Sequence, residues 1–316
     1  MPSVLVSVII PVYNEGAHIE ENILAIRERA KTENVIFEFV LVDDGSSDDS
    51  WQAMQSVSKR LHACRLIRLS RNFGKEAAVS AGLAQAVGEA CIVMDSDLQH
   101  PPEVIPEMIR LWAEEGYEVV DAVKADRGKE SFFYKLFARL FYGSFNKLSG
   151  LELEGASDFK LMDRKAVDAW KAMPERATFF RGMSTWVGFR HVAIPFEVAA
   201  RAGGKTKWSF RKLAGLAIGA ITSFSAMPLQ LVTVTGLIFL AGAIVLGLET
   251  LVMWILGHAA SGFTTVILLL LIIGSLLMLS LGVIGTYIAK IYDEVKARPR
   301  YIIAEEKCSA RREIEE

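Results

Sequence analysis

Cysteine is scarce: Cys64, Cys91 and Cys308 are the only three in 316 residues, and no two stand at a CxxC spacing. Three such thiols build no disulfide framework, and free thiols in a reducing compartment are expected. A surplus of positive charge is also missing. Lys and Arg number 35 against 37 Asp and Glu, a formal net charge of −2, which gives no electrostatic case for nucleic acid as a partner. Residues 1–7 lack the basic region, apolar run and small-residue cleavage site of a secretory signal, so the N-terminal part is expected in the cytoplasm. No internal repeat or low-complexity segment is present.

Charge itself nearly disappears over 228–291, and the 52% hydrophobic content is concentrated there. Two runs, 229–256 and 263–289, each exceed the roughly 20 residues needed to cross a hydrocarbon core. Glu249 is the lone acid of the first run. The connection 257–262 carries no Lys or Arg. Lys205, Lys207, Arg211 and Lys212 precede the pair, and Lys290, Lys296, Arg298 and Arg300 follow it. The positive-inside rule then places both termini in the cytoplasm and the short loop outside, a multi-pass protein of the inner membrane. Small residues such as Gly236, Gly242, Gly274 and Gly282 permit close helix packing, within the hairpin or between copies in a homo-oligomer.

Residues 1–209 read as globular sequence, ample for one core. β-Branched runs at 4–10, 37–42, 66–69, 90–94 and 118–123 alternate with helical patterns near 17–30, 47–61, 74–87 and 103–115. Nearly continuous apolar strands between helices predict an α/β domain, a mostly parallel sheet covered on both faces. Phe132, Phe133, Phe137, Phe141 and their neighbours form an amphipathic helix pattern. It fits either packing on the sheet or lying at a membrane surface. The stretch 210–227 predicts an interfacial helix leading into the first span. The tail 292–316 is placed in the cytoplasm, and its mixed-charge end, 305–316, is expected to be mobile.

Ligands bind beyond the carboxyl ends of such strands, and the unusual residues fall there. The first strand runs into Pro11-Val12-Tyr13-Asn14-Glu15, the second into Asp43-Asp44-Gly45-Ser46, and the fourth into Asp95-Ser96-Asp97-Leu98-Gln99. Acids gathered in one crevice repel unless a cation offsets them. Asp95 and Asp97 have the spacing to aim two hard oxygen ligands from one turn at Mg²⁺ or Mn²⁺.

In order and spacing these turns, with Asn72-Phe73-Gly74-Lys75 and Asp95-Ser96-Asp97-Leu98-Gln99-His100-Pro101-Pro102-Glu103, resemble glycosyltransferase family 2. The two spans and the ending Tyr287-Ile288-Ala289-Lys290-Ile291-Tyr292 resemble its polyprenyl-phosphate members. The resemblance implies a GT-A nucleotide-sugar-binding domain followed by a two-helix transmembrane hairpin. It implies that Pro11, Tyr13, Glu15 and Asp43 contact the nucleotide, favouring a UDP-sugar. Asp95 would help hold the diphosphate and, with Asp97 and Gln99, the metal. Asp158, in Ser157-Asp158-Phe159-Lys160, matches the acid proposed as base, and Lys124, Arg127 and Arg201 match positions that handle phosphates. At Lys124 relatives often carry Arg, whose bidentate fork lysine lacks. Lys75 either reaches the site or stays solvated, and His100 is read as a turn residue. The implied reaction is an inverting, metal-dependent transfer to a polyprenyl phosphate. A membrane-tethered enzyme with a non-lipid acceptor and a non-catalytic scaffold remain open. Arg181-Gly182-Met183-Ser184-Thr185-Trp186 is not the Gln-x-x-Arg-Trp of processive synthases.

Overall fold

The computed structural model describes residues 3–124, 157–173, 175, 179–196, 227–257 and 262–309. The chain divides into two compact units, Met1–Lys207 with Pro299–Glu316, and Trp208–Arg298. In the first unit four strands are parallel: β1 (Val4–Val12), β2 (Val35–Asp43), β3 (Cys64–Leu69) and β4 (Ala90–Val93). Helices α1 (Ile19–Arg29), α2 (Ser50–Ser58) and α3 (Lys75–Gln85) connect them. Val6, Val8, Ile9 and Ile10 are all fully buried, because helices cover both faces of β1 and remove the usual alternation. In α1 the buried Ile19, Ile23 and Ile26 recur at helical spacing. Helix α3 presents Ala77, Ala78, Ala81 and Gly82 to the sheet. A Cβ at Gly82 would run into the Ile9 side chain, so small residues set how closely α3 lies on β1.

The sheet order is β7-β5-β6-β4-β1-β2-β3-β8. Successive crossovers step outward from β1 through β2 to β3, and the next returns to β4 on the other side. That reversal makes the carboxyl ends of β1 and β4 a topological switch point. Beyond β4 come α4 (Ile105–Ala113), β5 (Val119–Lys124), β6 (Lys160–Asp163), α5 (Arg164–Ala172), α6 (Phe180–Trp186) and β7 (His191–Phe196). Strand β6 lies antiparallel between β4 and β5, and β7 is parallel to β5.

One expectation is overturned. The tail end is not mobile throughout: Ile303–Ser309 forms β8, antiparallel to β3, with Arg65 opposite Cys308. Arg65 Nη1 donates to Glu306 Oε1 at 2.7 Å. Without β8 the outer edge of β3 would present unpaired backbone groups, and the charges Glu305, Glu306 and Lys307 are those of a protected edge strand. The helical pattern near 132–145 lies outside the described residues, as does the stretch 210–227 except for Met227, which begins the next described helix.

The second unit contains α7 (Met227–Ile255) and α8 (Phe263–Val295). Within them Pro228–Met253 and Leu269–Val295 are long and apolar enough to cross a membrane. Their large apolar side chains are exposed all round, Leu240, Ile244, Leu271 and Met278 among them, which water would not tolerate but lipid would. Thr233, Thr235, Ser275 and Thr286 donate their hydroxyls to carbonyls four residues back, satisfying themselves without water. Helix α8 continues past 289 to Val295, so Lys290 and Tyr292 belong to its polar last turns.

Deleting residues 303–316 reopens the β3 edge. The thermal midpoint of the sheet unit is expected to fall by at least about 4 °C, equivalent to roughly 1–2 kcal/mol for a domain of this size. Circular dichroism in detergent checks this, and an unchanged midpoint would show that β8 adds nothing.

Candidate active site

Four strand-end turns are laced together at the carboxyl edge of the sheet. Asn14 has a left-handed φ of 53°; its N–H donates to Ser46 Oγ and its Oδ1 accepts from Ser47 N–H. Glu15 N–H donates to Ser50 Oγ at 2.8 Å, and Gly16 N–H to Asp48 Oδ2 at 3.0 Å. These bonds tie the β1 turn to the β2 turn. Asp44 accepts from Phe73 N–H at 2.8 Å and Gly74 N–H at 2.9 Å, tying the β2 turn to the β3 turn. Gly45, with φ +67°, packs against the backbone of Arg71 where a Cβ has no room. Glu15 accepts from Ser96 Oγ, and Asn22 Nδ2 donates to Ser96 O at 2.8 Å, tying the β1 turn to the β4 turn.

The turns enclose a crevice of about 290 Å³ lined by Pro11, Tyr13, Glu15, Asp44, Lys75, Asp95 and Asp97. Pro11, Tyr13, Glu15, Lys75, Asp95 and Asp97 are thus brought together. Asp43 is not among the lining residues: it is fully buried, accepts from Ser46 N–H, and faces Arg68 Nε at 3.2 Å. Strand alternation turns Asp43 under the sheet edge and leaves the crevice position to Asp44. Gln99 donates its backbone N–H to Asp97 Oδ1 at 3.1 Å. Lys124 closes β5 opposite Phe196, while Arg127 and Arg201 lie outside the described residues.

Lys75 reaches the site, although 40% of its side chain stays exposed. Its Nζ stands 2.5 Å from Asp95 Oδ1 and 2.7 Å from Asp158 Oδ2. Burial alone would lower its pKa, but the two carboxylates raise it above the ordinary lysine value. Asp158 is also held by Arg181, Nε to Oδ1 at 2.6 Å and Nη2 to Oδ2 at 3.1 Å. Burial pushes the Asp158 pKa up, yet the Arg181 fork and Lys75 outweigh it and hold the carboxyl well below the usual range. Glu15 shows the reverse: burial raises its pKa, the Ser96 bond opposes that, and Asp97 and Asp95 add to it. Asp95 and Asp97, in the turn after β4, thus bring their negative charge against Glu15, and Lys75 offsets part of it.

Among the described residues no three His, Cys, Asp or Glu side chains converge as a ready metal cage. Asp95 and Asp97 nonetheless offer hard oxygen donors from one turn, with Lys75 engaging one Asp95 oxygen, and a divalent cation would offset the three carboxylates of Glu15, Asp95 and Asp97 that line the crevice. Mg²⁺ and Mn²⁺ commonly take one or two carboxylates and complete their shell with substrate phosphates and water. The residues fit such an ion.

His100 is buried, with its ring stacked on Phe159 at 5.1 Å between centroids. Its Nδ1 accepts the Asp95 N–H at 3.1 Å, which places the imidazole proton on Nε2. Burial lowers its pKa, favouring this neutral acceptor form. It shapes the turn that presents Asp95, in keeping with a turn residue. Sequence reasoning missed Arg181 and Glu76, which no motif flags. Glu76 Oε2 accepts the Phe180 N–H at 2.7 Å. Burial pushes its carboxyl up to about 7, the Phe180 bond opposing and Asp158 adding.

A raised folded-state pKa means the stability linked to Glu76 is complete below about 4.5 and drains away as pH rises through 7. Glu76→Gln keeps an acceptor for Phe180 without ionising. It should therefore match the wild type near pH 4.5 and exceed it at pH 8 by up to about 3 kcal/mol. Thermal melts at both pH values check this, and an equal offset at the two would assign the effect to something other than ionisation.

Residues 7–170 match the profile of glycosyl transferase family 2. The chain is 37% identical over 304 residues to an uncharacterized glycosyltransferase of Synechocystis sp., covering 95% of this chain and 94% of that one. It is 36% identical over 308 residues to the bactoprenol glucosyl transferase of Shigella phage SfV, covering 96% and 99%. Among solved structures it resembles glucosyl-3-phosphoglycerate synthase of Mycobacterium tuberculosis, determined with Mn²⁺, UDP and phosphoglyceric acid. The TM-score is 0.51 at 19% identity, over 69% of this chain and 76% of that one, a likeness of fold.

Proposed function

The chain belongs to glycosyltransferase family 2, and from that premise we propose that it transfers a hexose from a UDP-sugar to a polyprenyl phosphate at the cytoplasmic face of the membrane. The observation that carries this reading is the similarity to bactoprenol glucosyl transferase, which runs through both apolar helices as well as the crevice. Glucose is the first sugar to test, since it is the one in that relative's name.

The crevice residues suit the donor. Tyr13, half exposed at its mouth, offers a ring for the base, and Asp44 lies deeper. Asp95 and Asp97 would hold a divalent cation, which when bound supplies electrostatic relief for the departing diphosphate. Lys75 stands between Asp95 and Asp158, where a preorganised ammonium can serve the same charge.

In the reaction proposed, an oxygen of the acceptor phosphate attacks the anomeric carbon as the bond to the diphosphate oxygen breaks. The electron pair leaves with UDP, and the configuration inverts. A phosphate monoester has a second pKa near 6 and is largely ionised at neutral pH, so little proton abstraction is required. That accords with Asp158, whose basicity is suppressed by its two cations. Lys205, Lys207 and Lys212 before the spans, with Lys290 and Lys296 after them, support placing the sheet unit in the cytoplasm.

The test is transfer of labelled sugar from a panel of UDP- and GDP-sugars into organic-extractable lipid. Membranes carrying the protein are given undecaprenyl phosphate and Mn²⁺. One donor, UDP-glucose first, is expected to label the lipid phase, and Asp97→Asn to reduce labelling by at least about a hundredfold. Nucleotide binding without lipid labelling from any donor would move the function to a non-lipid acceptor or a scaffold.

A further inference from the structure

The turn of α6 that carries Arg181 is fixed from three sides. Glu76 holds the N–H of Phe180. Ser184 Oγ and Thr185 Oγ1 both donate to the Arg181 carbonyl, at 3.1 and 3.0 Å. Ser184 Oγ in turn accepts from Lys160 Nζ at 2.6 Å, and the fully buried Lys160 is ion-paired to Asp121 Oδ1 at 2.8 Å. Burying an ammonium is costly unless it is paired and hydrogen-bonded. The Arg181 side chain stays 38% exposed while its partner Asp158 is buried. The guanidinium is thus fixed in place yet still open to a solute.

The pair's geometry indicates its use. Arg181 meets the two Asp158 oxygens as a fork, while Lys75, which lines the crevice, reaches one of them from the other side. A bidentate guanidinium with a second cation on the same oxygens is an arrangement suited to phosphate. We propose that Arg181 binds the acceptor's phosphate, and that in the free protein the Asp158 carboxylate occupies the Arg181–Lys75 fork as that phosphate's stand-in. This rests on the phosphate-acceptor reading above.

A phosphate monoester brings three acceptor oxygens and a charge of about −1.5 to −2, against two oxygens and one charge on the carboxylate. It displaces Asp158 from the fork. The bonds that Arg181 and Lys75 make to Asp158 pass to the phosphate oxygens, and the chemistry needs no proton passed to Asp158.

The full chain in detergent is titrated calorimetrically with farnesyl phosphate, and its steady-state constants are measured with undecaprenyl phosphate. Arg181→Lys keeps the charge without the fork; it is expected to raise the acceptor KM about tenfold and leave the donor KM within about twofold. Asp158→Asn removes the competing anion. It is expected to tighten farnesyl phosphate binding severalfold while kcat falls, the opposite direction to Arg181→Lys. A purely structural pair would weaken acceptor binding in both variants. Unchanged or weakened binding in Asp158→Asn overturns the inference, as does an Arg181→Lys effect confined to the donor; if Arg181→Lys fails to fold, Asp158→Asn alone decides. No transfer to undecaprenyl phosphate by the wild type would sink the acceptor reading itself. Normal transfer with both acceptor constants unmoved would sink this inference alone.

Discussion

Carboxylates crowd the crevice: Glu15, Asp44 and the Asp95–Asp97 pair line it, and Asp158 stands just behind Lys75. Two such charges about 5 Å apart repel by roughly 3 kcal/mol at an effective dielectric near 20. Lys75 offsets part of this by touching Asp95 at the end of β4 and Asp158 before β6, which belong to antiparallel neighbours. Its own placement depends on one of the other acids. Asp44 grips the N–H groups of Phe73 and Gly74, and Gly74, at φ 100°, aims the start of α3. The charge that needs compensating thus helps position the residue that compensates it.

The first five strands and the convergence of their turns were legible in the sequence because each is a short apolar run ending in polar residues. Periodicity carried that information. The acidic motif residues were legible too, but not their facing: Asp43 and Asp44 are adjacent, and only the strand's end register decides which lines the crevice. Strand β6 was hidden inside the motif around Asp158, where four residues are too few to show a period. Strand β8 was hidden by its charges, which mark an edge strand in a sheet and a solvated tail in isolation. Arg181 gave no local signal. Its importance comes from contact with Asp158 across 23 residues and from a buried lysine, features of tertiary structure.

The two units answer different demands on the same backbone. In the sheet unit, buried polar groups are satisfied by neighbours far along the chain, as Ser7 and Glu38 are by each other and by the amides of Val87 and Gly88. In α7 and α8 the hydroxyls turn back on their own helix. Distant pairing gives the first unit a preorganised crevice; self-sufficiency lets the second meet a solvent that offers no hydrogen bonds.

Because β8 lies beyond both apolar helices, the order of synthesis matters to the sheet. Arg65 and Glu306, partners across the β3–β8 ladder, are separated by 241 residues. At about 5–20 residues per second, β3 waits on the order of 10–50 s for its outer neighbour. During that interval the nascent chain carries an open strand edge while the two long apolar helices are being synthesised. Completion of the sheet thus reports that both helices have been made, and a chain stalled within them remains exposed to edge-to-edge association and quality control.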